Sequence, residues 1–168
     1  MSSLKKEASF PILYSMQLFF GPFGEPYFNP DDIKDERQKT STTTVIRRGQ
    51  KRFKRQLLAC YGGRCCITGC DVEPVLEAAH ILPYLGPKTN HPSNGLLLRA
   101  DIHKLFDSYY FAIHLPTYQV VIAPTLKNTS YSELAGQPLR LPASITGKPS
   151  HKALFKHYQT FCCRRLNE

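Results

Sequence analysis

The sequence predicts an α+β fold: two short strands, a short helix and a second hairpin, framed by two amphipathic helices. Three observations carry that expectation. Two runs of β type, Val75 to Leu82 and Gly95 to Arg99, flank a loop carrying Gly86, Pro87, Asn90 and Pro92. A short helical segment, IHKLFDSYY, follows the second run directly. Apolar residues recur at helical spacing both before and after this block.

The elements follow in order. Residues 1–30 are aromatic and rich in Pro and Gly, and read as an arm packed on the body. Residues 30–44 are polar and read as a connector or an exposed helix. Phe53, Leu57, Leu58 and Tyr61 mark one face of a helix over 45–61, which Gly62-Gly63 stops. After the two strands, Asp101 can cap a helix beginning at about Ile102. Tyr110 to Leu115 and Gln119 to Ala123 flank Pro116-Thr117 as a hairpin. Residues 124–150 are loop-rich, with a helical turn near 132–134. Ser150 can cap a last helix that buries Leu154, Phe155, Tyr158, Phe161 and Cys162. The chain thus divides into an arm and connector (1–44), a central domain (45–145) and a C-terminal helix packed on it (146–168).

With 168 residues and a formal charge of +9, the chain is long enough for a real core and basic enough to meet a polyanion. Arg47, Arg48, Lys51, Arg52, Lys54 and Arg55 make the polar face of the first helix basic. Charge runs are most often solvated faces, but almost no acid is interleaved here, so a phosphate-facing helix stands at least level with that reading. The six cysteines include two adjacent pairs, Cys65-Cys66 and Cys162-Cys163, which suits reduced thiols in a cytoplasmic setting. Lys5 and Lys6 precede an apolar stretch in the manner of a signal peptide, but Pro11, Gln17, Gly21 and Pro22 interrupt it. No run is long enough to span a membrane.

The chemistry lies in one ordered set: His80 at a strand end, a long loop, Asn94-Gly95, a strand, then His103 and Asp107. A strand-end histidine facing a groove can deprotonate water near neutral pH. His103 and Asp107 are four apart on a helix, so both project from one face and can hold a divalent metal. Each residue alone has a plainer reading. His80 could be a core histidine, His103 and Asp107 a surface pair, and Asn94-Gly95 a turn. The joint arrangement favours the site.

The strings EAAHILPY and NHPSNGLLLRADIHKLFD resemble the HNH endonuclease family, in the branch with an Ala-His-Ile-x-Pro strand, an Asn-Gly-Leu-Leu-Leu strand and an Asp-x-His-x-Leu-Phe-Asp helix. The preceding YGGRCCITGC resembles the lead into that motif, and the resemblance covers about residues 45–145. It implies a ββα-metal core, with His80 as general base and Asn94 bonding the loop backbone to orient His80. His103 becomes a metal ligand, and Asp107 matches a second helical ligand seen in some relatives. Its cofactor would be a divalent ion, Mg²⁺ foremost, with Mn²⁺ as an alternative. Its partner would be DNA, with RNA not separated from it by sequence, and its setting prokaryotic defence. A homodimer is compatible with this reading.

Two departures stand out. Many relatives place Asp or His directly before the catalytic histidine, whereas this chain has Ala79, so water or Glu77 would complete the metal shell. Many also carry two Cys-x-x-Cys knuckles. Here Cys65 or Cys66 with Cys70 makes half of one at imperfect spacing, and LLLRAD stands where the second would lie, which argues against a structural zinc. Two other readings compete with hydrolysis of DNA. One is an HNH-like module that binds nucleic acid without cutting it; the other is a zinc-stapled interaction domain.

Overall fold

A computed structural model describes residues 28–36, 43–143 and 147–165, and of 43–48 the backbone alone. The expected arm over 1–27 lies outside the described residues. Helix α1 spans Thr43–Cys60 and ends in a turn where Gly62 and Gly63 both take positive φ. Strands β1 (Leu76–His80) and β2 (Gly95–Arg99) pair antiparallel, and helix α2 (Ala100–Asp107) leaves β2 without a loop. Strands β3 (Phe111–His114) and β4 (Gln119–Ile122) form a second antiparallel pair. Helix α3 (His151–Arg165) packs against β3. The architecture is the expected α+β one, with a ββα unit at its centre.

One core joins these elements. All three leucines of β2 are fully buried, since α1 and α2 both contact this small sheet. Phe53 and Leu57 of α1, Ile102 and Phe106 of α2, and Phe111 of β3 complete the same cluster. Gly95 sets how closely α1 approaches. A Cβ on Gly95 would lie 2.6 Å from Phe53 and 2.7 Å from Leu57, both buried side chains.

Two sequence expectations are corrected. Asp101 does not cap α2; it sits inside the first turn, and its carboxylate takes two bonds from the Arg99 guanidinium, at 2.7 and 2.8 Å. That pairing holds the Asp101 pKa below its usual value. Phe155 is not buried: it is 52% exposed, and His157 occupies the inner face of α3 with Leu154 and Phe161. The helix α2 is stopped without glycine. Tyr109 takes φ 58° there, while the Tyr110 N–H bonds to the Leu105 carbonyl at 2.9 Å. Ser150 does cap α3: its hydroxyl accepts from the Ala153 N–H at 3.4 Å. Among the described residues, no helix is long and apolar enough to cross a membrane.

Gly95→Ala should lower unfolding stability by about 1–3 kcal/mol, the usual result of forcing a methyl into a filled core. Urea denaturation measures this directly. A midpoint equal to wild type would mean that α1 can retreat freely.

Candidate active site

The site begins with the loop between β1 and β2, because that loop decides where His80 points. Asn94 is fully buried and all three of its amide contacts go to loop backbone. Its side-chain oxygen accepts from the Leu82 N–H at 2.8 Å, and its NH₂ donates to the Leu82 and Thr89 carbonyls, each at 3.0 Å. The backbone adds a bond from the Ile81 N–H to the Asn94 carbonyl at 2.9 Å. Both ends of the loop are thereby closed onto each other just past His80.

His80 ends β1 opposite Gly95. Its ring stacks on Phe53 of α1, with centroids 4.4 Å apart and planes 16° from parallel. Tyr84 meets it edge-on at 5.9 Å. The Nε2–H donates to the Asn90 side-chain oxygen at 2.9 Å. Burial pushes the His80 pKa down, although the Asn90 bond and the Asp107 charge act the other way.

His103 stands on α2. Its Nδ1–H donates to the Glu77 carboxylate at 2.7 Å, and its Nε2 lies 3.3 Å from Asp107. Burial alone would lower its pKa, but the Asp107 and Glu77 carboxylates together raise it. The two surroundings thus shift the His80 and His103 pKa values in opposite directions.

His80, His103, Asp107 and Glu77 all line one cleft of about 670 Å³, with Lys54 of α1 on its wall. Of the other basic residues expected to meet phosphate, Lys51, Arg52 and Arg55 are exposed on α1. Arg47 and Arg48 lie outside the residues whose side chains are described. The cleft face of α1 is thus set by Gln50, Phe53 and Lys54, whereas Arg52 and Arg55 are turned well away from Lys54 by the helical period.

Among the described residues, no three His, Cys, Asp or Glu groups surround one point as a ready-made metal site. Two do suit a shared ion. Ligand atoms about 2.1 Å from one ion and at right angles lie about 3 Å apart, close to the 3.3 Å between His103 Nε2 and Asp107. Glu77 faces the opposite nitrogen, so it fits an outer partner that orients the histidine, not a direct ligand. Ala79 is buried and contributes no donor. The thiols of Cys65 and Cys66 are buried too, and Cys65 Sγ accepts from the Thr68 and Arg99 N–H groups, each at 3.4 Å.

Two residues at or beside the cleft, Asn90 and His157, escape a reading by sequence. Asn90 looks like a loop residue, and only the folded loop brings it to His80. Lys54 is one of the six cations read from the sequence, and helix docking brings it to the cleft wall. His157 also lines the cleft, sandwiched between Phe106 at 3.8 Å and Tyr109 at 4.8 Å. Burial holds its pKa down to about 4, so it is neutral. Its helical spacing to Leu154 and Phe161 is a signal that could have placed it on the inner face.

Asn94→Ala should destabilise the fold by roughly 2–5 kcal/mol, since it strands three backbone groups that the amide now satisfies. Thermal and urea unfolding test this. A loss below about 0.5 kcal/mol, the usual scale of a surface change, would show that water replaces the amide.

The family model for HNH endonuclease matches residues 65–114, which contain β1, the loop, β2, α2 and β3. A solved structure titled modification-dependent TagI restriction endonuclease is similar at a TM-score of 0.47 and 24% identity, over 63% of this chain and 36% of that one. The chain thus spans about a third of the length of that structure. No curated protein matches the sequence. Residues 65–114 of this chain thus match the HNH endonuclease family, a family of nucleases.

Proposed function

We propose that the protein is a metal-dependent endonuclease that hydrolyses phosphodiester bonds of DNA, with His80 as general base. The observation that carries this reading is the meeting of His80 with the His103–Asp107 pair in one cleft. A divalent ion held by His103 Nε2 and Asp107 would supply Lewis-acid stabilisation of the phosphate and of the leaving 3′ oxygen. His103 keeps its Nδ1–H on Glu77, which fixes its ring and strengthens it as a ligand. His80 presents a neutral nitrogen that takes a proton from the attacking water. Phe53 covers one face of that ring and keeps it dry. Lys54 offers a positive charge to a backbone phosphate, without sequence information. The basic balance of the chain supports a nucleic-acid substrate, and the restriction-enzyme title of the similar structure adds DNA as its class.

Purified protein should nick or linearise supercoiled plasmid with Mg²⁺ or Mn²⁺, and EDTA should stop it. His80→Ala should lower the rate on the order of a hundredfold or more while still binding DNA. The pH profile carries a sign. A base must be deprotonated, and burial lowers the His80 pKa below 6.5, so activity should fall only as pH drops below that value. At saturating metal, where protonation of His103 no longer limits the rate, an acid limb centred above pH 6.5 would contradict His80 as the base. Wild type that binds DNA but never cuts it would make the domain a non-catalytic binder.

Metal binding separates the histidines. Calorimetry with Mn²⁺ should show His80→Ala binding like wild type and His103→Ala losing binding. Glu77→Gln should weaken affinity about 10- to 100-fold, the usual effect of removing an outer-shell partner. Equal affinity in His103→Ala would refute the ligand assignment.

A further inference from the structure

The stack on Phe53 fixes the plane of the His80 ring but not which way round the ring lies. A half-turn about the Cβ–Cγ bond keeps the stack and exchanges each nitrogen for a carbon. Only a directional contact breaks that degeneracy. Among the described residues, the directional contact of the His80 ring is its hydrogen bond to the Asn90 side-chain oxygen, at 2.9 Å.

We propose that Asn90 is the positioning residue for His80: its side-chain oxygen selects the ring orientation and the Nε2–H tautomer, leaving Nδ1 as the nitrogen that faces the reacting water. The proposal rests on the reading of His80 as the base. Three features hold Asn90 in place. The Asn90 N–H bonds to the Pro87 carbonyl at 3.1 Å, closing a short 3-10 turn. The buried Asn94 amide grips the carbonyl of Thr89, the residue immediately before it. Helix α1 leaves room for the carboxamide at Gly49, where a Cβ would lie 2.9 Å from the Asn90 nitrogen. Gly49 sits within a helix, where glycine is unfavourable by about 1 kcal/mol relative to alanine. Its space next to Asn90 explains its presence.

An amide suits this position better than a carboxylate. A neutral acceptor orients the imidazole and stabilises its charged form only slightly, so the base stays unprotonated near neutral pH. The charged or titratable groups that line the cleft with His80 are Lys54 on α1, Tyr84 on the loop, Glu77 on β1, His103 and Asp107 on α2, Tyr109 after it, and His157 on α3. An Asp at position 90 would add a negative charge in direct contact with the ring.

The test combines a tautomer measurement with kinetics. In the full chain labelled with ¹⁵N-histidine, without metal, long-range ¹H–¹⁵N spectra should show His80 protonated on Nε2 and not on Nδ1. Asn90→Leu should mix the tautomers and lower kcat about 10- to 100-fold, with KM for DNA nearly unchanged. Asn90→Asp should restore the Nε2–H tautomer and move the acid limb of the pH profile upward. Gly49→Ala provides a variant that favours the helix. It should stabilise α1 or leave its melting unchanged, yet disturb the tautomer by displacing the Asn90 amide. An Nδ1–H tautomer in wild type would overturn the proposal. So would an unchanged tautomer and kcat in both Asn90→Leu and Gly49→Ala. If the tautomer shifts as expected but wild type never cuts DNA, the nuclease reading fails and the positioning role stands.

Discussion

The site depends on one buried carboxamide. Asn94 satisfies the Leu82 N–H and the Leu82 and Thr89 carbonyls from inside the loop that joins β1 to β2. A loop of this length would otherwise need water or secondary structure to satisfy its backbone. With Asn94 in place, the chain turns sharply after His80, and the 3-10 turn before Asn90 is held from beneath. Orientation of the histidine is therefore a consequence of backbone satisfaction one layer below it. Asn94 never needs to touch His80 to govern it.

Histidines in and around the cleft are driven apart by their surroundings. His80 is buried beside an aromatic ring and a neutral amide, so its charged form is disfavoured. His103 stands between two carboxylates, which overcome its burial and favour the charged form. His157, packed between two aromatic rings, is kept neutral. The same side chain thus meets three environments: that of the proposed base, that of the proposed ligand and a core contact. Separation of pKa values by environment assigns roles that residue type alone leaves equal.

Helix α1 links the core to the cleft. Gly95 admits Phe53 and Leu57 to the surface of the small sheet, and the same docking lays Phe53 on the His80 ring. It also turns Lys54 into the cleft and leaves Arg52 and Arg55 exposed. Part of the basic surface is thereby aligned with the chemistry by packing, while the rest remains a general electrostatic face.

The sequence by itself determined the element order and the ββα unit. Period-2 and period-3.6 patterns, a strand running into a helix, and Gly62-Gly63 as a stop are local signals, and local signals survive without tertiary context. It also singled out His80, Asn94, His103 and Asp107, because their order along strands and helix is local too. Tertiary structure decided which partner each of them meets. Glu77 lies far from His103 in sequence, and only the packing of α2 against β1 brings them to 2.7 Å. Asp101 could have been a cap until the Arg99 guanidinium offered a stronger, charge-assisted partner. Phe155 yielded the inner face of α3 to His157, because the rings of Phe106 and Tyr109 were already there to stack on it. Asn90 became a neighbour of His80 only when the loop closed. Spacing along a chain specifies which side chains share a face, but contacts across the core depend on how those faces dock.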